Sequence, residues 1–359
     1  MYADDTLIID SMMYRLAGDI YIFVPAFLNV ADDPDTFIYY AMKAVYVVEF
    51  IAMALSLPTT LLHNYCLSRT TVFHPNVARI AQVFLLGYYF AVAGRIVIFC
   101  YQVDIVHYNE TSLSSKVPLF VASIARLWFF STTLAFLGEL IVERTFASYM
   151  VVDYEKNPRI WISTGVIAVT LPSTLLFTVT MMIRVYSSLV LIIGCTACVA
   201  VLVIVLMTMY RRDLLRLREL RSGVVNSRTL NTLSIKFQLM ENLRIMRLVM
   251  LAYCVASVLI IIGLTLITAA VFAFEHKPEL GRLCFALLDL LVALSGAIGF
   301  FAFLSLFGEW RRVMRECGFV KKFCSGLTLR LHSPKRKDRV NDRRGETEHY
   351  FEQLRQAWE

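Results

Sequence analysis

Five charged side chains inside long apolar blocks are the first residues in this sequence whose types and positions could do chemistry. They are Lys43, Glu49, Arg95, Arg126 and Asp289. A charge at membrane depth is costly, so it is expected to be paired or to serve binding or transport. At about 1.5 Å per residue, Glu49 lies near the middle of its block and the other four lie toward one common membrane face. The set predicts either a polar cavity that binds a small ligand or interhelical ion pairs such as Arg126 with Asp289.

The balance of these charges suggests what such a ligand could be. Three bases against two acids leave one positive charge, which could receive a ligand carboxylate or another acceptor. Lys43 also has a simpler explanation, since a lysine stem can lie in lipid with its ammonium group at the interface.

A second candidate site is the acid–arginine pair Glu143-Arg144 at the end of the third apolar block. An arginine held by a neighbouring carboxylate in one state can be released to a partner in another. Alternatively, the arginine only marks the membrane boundary.

A polar helix face precedes the sixth apolar block. Its members are Phe237, Gln238, Glu241 and Asn242, at helical positions i, i+1, i+4 and i+5. This face is positioned to meet Arg144. Glu241 could therefore contact Arg144, or it could pair locally with Lys236 or Arg244.

The elements that position these residues follow from composition. Of 359 residues, 58% are hydrophobic and 18% charged, with a mean hydropathy of +0.63, whereas an average soluble domain is about half apolar and a quarter charged. The apolar residues form seven blocks long enough to cross a bilayer. These are 37–62, 79–101, 118–142, 159–183, 185–210, 248–274 and 281–307. The sequence therefore predicts an all-α integral membrane protein with a seven-transmembrane helix bundle over 37–307.

Loop charges predict the orientation. Most of the 35 Lys and Arg residues fall in the loops and tail on one side of the seven blocks, which the positive-inside rule makes cytoplasmic. Residues 1–36 then form an acidic extracellular N-terminal tail, and the C-terminus is cytoplasmic. The sequon Asn109-Glu110-Thr111 falls in a loop on the outer side, so we expect Asn109 to be glycosylated.

The segment after the seventh block alternates basic and apolar residues. Residues 308–324 are predicted to form a juxtamembrane amphipathic helix on the lipid surface, followed by a basic cytoplasmic tail over 325–359. Its two cysteines, Cys317 and Cys324, are candidates for palmitoylation. They could equally remain reduced thiols.

Enzymatic chemistry finds little support in the sequence. The six His lie in loops, at membrane edges or in the tail without metal-ligand spacing, and no phosphate loop or nucleophile motif is recognisable. We therefore expect neither catalysis, nor a metal, nor a cofactor. The basic charge is assigned to membrane lipids rather than to nucleic acid.

Two longer segments resemble a known family. Glu143-Arg144-x-x-Ala147-x-Tyr149, followed by Asp153-Tyr154-Glu155-Lys156, is similar to the third-span signature of the nematode serpentine receptors of class epsilon. Ser234-Ile235-Lys236-Phe237-Gln238-Leu239-Met240-Glu241-Asn242 resembles the S-x-x-F-Q-x-x-E-N segment of the same family, and Phe73-His74-Pro75-Asn76 is also similar. The acid–arginine pair also resembles the ionic-lock position of seven-helix G-protein-coupled receptors.

The resemblance implies a chemosensory receptor in the plasma membrane of sensory neurons. Its expected partners are a small-molecule cue and a heterotrimeric G-protein, which would couple through Glu143, Arg144, Tyr149 and the Phe237–Asn242 face. The seventh block has no N-P-x-x-Y and the sixth has no Pro, so the activation details of rhodopsin-like receptors are not expected here. Two other functions stay open: a ligand-gated channel or transporter whose pathway is lined by the intramembrane charges, and a structural membrane protein in which those charges are all paired.

Overall fold

The computed structural model describes residues 12–17, 20–25, 37–70, 73–103, 105–109, 112–150, 159–221, 232–274, 276–306 and 308–316. A β-hairpin, β1 (Met13–Ala17) and β2 (Ile20–Phe23), precedes the helices. The helices are α1 (Phe37–Arg69), α2 (Pro75–Gln102), α3 (Leu113–Tyr149), α4 (Ile160–Met182), α5 (Ser188–Arg221), α6 (Thr232–Thr268), α7 (Pro278–Leu306) and α8 (Gly308–Glu316). A π-helical turn, Ala269–Ala273, continues α6. In the described residues, α1 to α7 are the helices long and apolar enough to cross a membrane, which confirms the predicted all-α seven-helix fold.

Most of the helices differ in length from the apolar blocks that predicted them. α3 runs through Glu143 and Arg144 to Tyr149, and α6 begins at Thr232, well before its apolar block. Hydropathy marks only the part of a helix that lipid surrounds, whereas backbone hydrogen bonding continues into the polar extensions. The two ends of the bundle are called the hairpin end, where α1 begins, and the Arg144 end, where α3 ends.

The boundary between the fourth and fifth blocks is a tight turn. α4 ends at Met182 and α5 begins at Ser188. Between them Arg184 has a φ of 55°, the left-handed conformation that reverses the chain at the end of a helix. The predicted blocks 159–183 and 185–210 are therefore two helices, although hardly any polar sequence separates them.

α2 and α3 approach each other closely at a glycine. A Cβ on Gly94 would lie 2.6 Å from the backbone oxygen of Ala122, so only glycine fits there. Small residues of this kind let two membrane helices bring their backbones together. On the other side of the bundle, α1, α2 and α7 share one acceptor: Ser56 Oγ and Tyr88 Oη both donate to the backbone oxygen of Ala293.

The β-hairpin was not predicted, since it lies in the acidic tail. Its strands are antiparallel, with Met13 opposite Phe23. The flanking side chains of Met12 and Val24 are fully buried. Met12 packs in a cluster with residues of the π-helical turn and α7, and Val24 packs among residues of α2 and α3. The hairpin is thus held on the bundle at two points.

The chain divides into two compact units, residues 1–311 and 312–359. In the first, Trp310 is fully buried, with its ring 4.7 Å from that of His63 and 5.2 Å from that of Phe303 (centroid distances). The described part of the second unit is 312–316, where Arg312 Nε donates to Glu316 Oε1 at 3.1 Å. Cys317 and Cys324 lie outside the described residues, so their palmitoylation stays a prediction.

Candidate ligand cavity and ionic switch

Arg95 of α2 is the centre of a buried ion-pair cluster in the hairpin half of the bundle. Its guanidinium donates to both carboxylate oxygens of Glu49 on α1, Nε to Oε1 at 2.5 Å and Nη2 to Oε2 at 2.7 Å. Nη1 donates to Gln102 Oε1 at 2.5 Å, and Nη2 lies 3.2 Å from Asp289 Oδ2 on α7. This two-pronged pairing is the geometry in which arginine binds carboxylate most strongly.

Arg126 of α3 completes the cluster. Its Nη2 pairs with Asp289 Oδ1, the ion pair that the sequence suggested. Arg126 and Asp289 are both buried. Its other terminal nitrogen, Nη1, is buried and has no hydrogen-bond partner among the residues that the structure describes. The cluster therefore has its carboxylate oxygens engaged and one arginine N–H group unused.

Lys43 does not join this cluster. Its side chain is exposed, and its ammonium lies 4.3 Å from the centroid of the Tyr39 ring, on the same helix. The formal charges of Glu49, Arg95, Arg126 and Asp289 sum to zero. The structure brings together four of the five predicted residues and leaves them without the surplus positive charge that the full set would have.

A cavity of about 440 Å³ lies beside the cluster. Arg126 and Asp289 line it together with Phe23 of the hairpin, and it continues along the bundle to Leu140 and Phe303. Most of the remaining wall is aliphatic or aromatic, with side chains from each of the helices α1 to α7. Its volume and apolar walls are those of a small-molecule pocket.

At the Arg144 end, Glu143 and Arg144 pair within one helix. Arg144 Nε donates to Glu143 Oε2 at 2.5 Å, and Nη2 donates to Oε1 at 2.7 Å. Both residues are buried, at 0% and 1% exposure, so water does not compete for the pair. Leu140, which lines the cavity, lies about one helical turn before Glu143.

Comparison with known proteins decides what kind of bundle this is. A family model described as Sre G protein-coupled chemoreceptor matches residues 13–359, nearly the whole chain. The chain belongs to the Sre family. It is therefore a multi-pass membrane protein of a serpentine chemoreceptor family, as the two resembling segments implied.

Three curated relatives of the Sre chain come from Caenorhabditis elegans. Serpentine receptor class epsilon-1 is 30% identical over 214 residues, 56% of this chain and 56% of its own length. Serpentine receptor class epsilon-21 is 27% identical over 258 residues, which cover 70% of this chain and 69% of the relative. Serpentine receptor class epsilon-26 is 22% identical over 346 residues, which cover 89% of this chain and 93% of the relative.

The Sre segment Phe73-His74-Pro75-Asn76 has a structural role that sequence reasoning did not assign. His74 caps α2, accepting at Nδ1 from the backbone N–H of Asn76 at 3.3 Å, and the same nitrogen lies 3.7 Å from Glu143 Oε1. Asn76 is buried, donates to the backbone oxygen of Arg159 at 3.2 Å and accepts from Ser163 Oγ at 2.9 Å. The segment thus links α2 to α4 and places a histidine beside the ionic pair.

A second link at the Arg144 end of the Sre bundle joins α3 to α5, and sequence reasoning missed it too. Ser148 Oγ donates to Asp213 Oδ1 at 2.7 Å and accepts from Arg212 Nη2 at 2.5 Å. Asp213 is fully buried. An acid within an arginine-rich stretch was the available signal.

Of the remaining predicted coupling residues of the Sre chain, the structure describes the side chain of Tyr149 and only the backbone of the others. Tyr149 ends α3 and is 83% exposed. Phe237, Gln238, Glu241 and Asn242 lie on the helical backbone of α6, as predicted, but their side chains fall outside the described residues. Contact between Glu241 and Arg144 therefore stays a prediction.

Proposed function

We propose that this Sre protein detects an environmental small molecule in the cavity and activates a heterotrimeric G-protein at the Arg144 end. The observation that carries the proposal is the placement of Arg126 and Arg144 on one helix. Arg126 lines the cavity, and Arg144 lies 18 residues further along α3, about 27 Å at 1.5 Å per residue. A ligand site and a releasable arginine are thus joined by one continuous element.

The proposed mechanism is a population shift between two arrangements of the bundle. In the arrangement described here, Arg144 is buried and held by Glu143. A ligand that fits the cavity better when α3 and α6 stand apart favours the arrangement in which Arg144 is released. The freed arginine, with exposed Tyr149 and the α6 face of Phe237, Gln238, Glu241 and Asn242, then forms the surface that the G-protein contacts.

The proposal includes an orientation. The hairpin end faces outside and the Arg144 end faces the cytoplasm of a sensory neuron, because most of the basic residues lie in the loops at the Arg144 end and in the C-terminal tail. Asn109, exposed in the α2–α3 loop at the hairpin end, is then available for glycosylation. Cys317 and Cys324 are then on the side where palmitoylation occurs, next to anionic lipid.

The test is G-protein nucleotide exchange in cells that express the chain, challenged with a panel of volatile and water-soluble compounds. We expect Arg144→Ala to abolish the response while surface expression persists. Arg211→Ala is the matched control, since this arginine also lies at the Arg144 end but its side chain is exposed. An unchanged response in Arg144→Ala would remove Arg144 from the mechanism.

The channel or transporter alternative makes the opposite prediction for the same cells. Ligand-driven current or uptake without nucleotide exchange would support it, because a permeation path needs no G-protein. The mutual pairing of Glu49, Arg95, Arg126 and Asp289 favours the receptor, since a pathway needs polar groups that are open to water.

A further inference from the structure

The cavity and the cluster beside it restrict the chemistry of the molecule that can bind. We infer that the ligand is a neutral, mainly apolar molecule with one hydrogen-bond acceptor, such as a ketone, aldehyde or ester, and that its acceptor takes the unused N–H group of Arg126 Nη1. This inference rests on the proposed function only in taking the cavity as the ligand site. It is tested by binding, without a G-protein.

The apolar character of the ligand follows from the wall. Beyond Arg126, Arg184 and Asp289, aliphatic and aromatic side chains such as Leu134, Phe177 and Ile260 dominate the lining. A ligand with several polar groups would leave most of them facing apolar side chains without hydrogen-bond partners, which is costly. An aliphatic body gains free energy against the same wall.

The need for an acceptor follows from the hydrogen bonds of the cluster. Glu49 accepts at both oxygens from Arg95, and the two oxygens of Asp289 face Arg126 and Arg95. Within the described residues, the group left over is a donor, Arg126 Nη1. Arg126 is buried and lines the cavity, so a ligand acceptor placed there satisfies a group that is otherwise unpaired.

The neutrality of the ligand follows from the charge of the cluster. Within the cluster two arginines and two carboxylates already balance, and Lys43 lies apart, exposed and against Tyr39. Arg184 also lines the cavity, but it is partly exposed in the turn between α4 and α5 and lies outside this cluster. A carboxylate ligand would add an uncompensated negative charge at low dielectric, and an ammonium ligand would bring a positive charge next to the unused arginine donor. A carbonyl or ester oxygen accepts the same hydrogen bond without either cost.

The experiment uses the full-length chain in lipid nanodiscs and four probes of matched length: nonane, methyl heptyl ketone, nonanoate and nonylammonium. Binding is measured as the rise in the thermal unfolding midpoint at equal probe concentration in the lipid phase. We expect the ketone to bind about tenfold tighter than nonane, the increment of one hydrogen bond to a charged group. The two charged probes should bind more weakly than the ketone.

A double variant, Arg126→Met with Asp289→Leu, removes the donor, introduces no new one and keeps the remaining cluster neutral. Arg95 still donates to both carboxylate oxygens of Glu49. We expect nonane to bind this variant as it binds the natural chain and the ketone to lose its advantage, while Lys43→Met changes neither. Retained nonane binding shows that the variant is folded.

Three outcomes would overturn the inference: tighter binding of nonanoate or nonylammonium than of the ketone, a ketone preference that survives in the double variant, or no binding of any probe. The receptor proposal fails separately. Ketone binding that depends on Arg126 but triggers no nucleotide exchange supports the inference and contradicts the receptor function. Nucleotide exchange driven by a charged molecule that binds in this cavity supports the receptor function and contradicts the inference about the ligand.

Discussion

Glu143 and Arg144 are adjacent in sequence, yet their side chains form a two-pronged ion pair, with N–O distances of 2.5 Å and 2.7 Å, that is closed to solvent. Both partners are on α3, so this ion pair by itself does not tie α3 to another helix, although Glu143 Oε1 also lies 3.7 Å from His74 Nδ1. Its release requires a change in side-chain conformation and a new partner for Arg144. The pair therefore suits a switch better than a structural tie.

Weakening this pair should raise activity in the absence of ligand. In Glu143→Gln the amide replaces a charged acceptor with a neutral one, so Arg144 is held less firmly. We expect basal nucleotide exchange to rise, about tenfold for each 1.4 kcal/mol of pairing lost, as long as the active state stays a minority. Glu139→Gln, one helical turn earlier on α3, is the control and should leave basal exchange unchanged. A fall in basal exchange for Glu143→Gln would contradict the switch.

The ion pair between Glu49 and Arg95 should stabilise the bundle. Removing one partner leaves the other charged and buried, which costs about 3–5 kcal/mol. We expect Glu49→Leu to lower the thermal unfolding midpoint in detergent strongly and Arg95→Leu to do the same. The double variant should be less damaged than the two losses added together. If the two losses simply add, the two side chains do not act as a pair. Lys43→Gln is the control, and because Lys43 is exposed it should have little effect on the unfolding midpoint.

The contact at Gly94 should be intolerant of even one methyl group. Alanine there would bring its Cβ to 2.6 Å from the backbone oxygen of Ala122, so α2 and α3 would have to move apart. Forcing extra volume into a packed interface costs about 1–3 kcal/mol. We expect Gly94→Ala to lower the unfolding midpoint. Gly165→Ala is the control, since nothing lies within 4 Å of a Cβ built there. Equal midpoints for the two variants would argue against the close approach.

The proposed orientation is open to a biochemical test at Asn109. This exposed residue, whose backbone N–H donates to Ser115 Oγ at 3.0 Å, is expected to carry an N-linked glycan only when the hairpin end faces the secretory lumen. Glycosidase treatment should increase the gel mobility of the natural chain and have no effect on Asn109→Gln or Thr111→Ala. If the gel mobility of the surface-expressed natural chain does not change with the enzyme, Asn109 carries no glycan. The orientation then loses this support.

Sequence alone was sufficient for the helices, and it singled out the Glu143-Arg144 pair near the end of one of them. Hydropathy locates each span because lipid selects apolar side chains along its length, and the Glu143-Arg144 pair stands out at the end of one span. Hydropathy did not show how each helix is rotated about its axis, and this rotation decides which of its charged side chains face the core. Lys43 and Glu49 are six residues apart on α1, which puts them about 120° apart around the helix axis, so one faces outward and the other the core.

Other parts of the site depended on tertiary packing that no local pattern reveals. The hairpin buries Met12 and Val24 against helices far along the chain, and its short strands carry little signal of their own. The links from Ser148 to Asp213 and from His74 to Glu143 join residues far apart in sequence, whose proximity only the bundle creates.

The distribution of the four cluster residues along the chain has a consequence for biosynthesis. Glu49, Arg95 and Arg126 belong to the first three spans to be made, whereas Asp289 is supplied by the last. Until α7 emerges from the ribosome, Arg126 lacks the carboxylate that pairs with it in the finished bundle. Nascent or truncated chains that end before α7 thus expose an uncompensated arginine within the bilayer, a defect that quality control in the endoplasmic reticulum can use to separate incomplete receptors from complete ones.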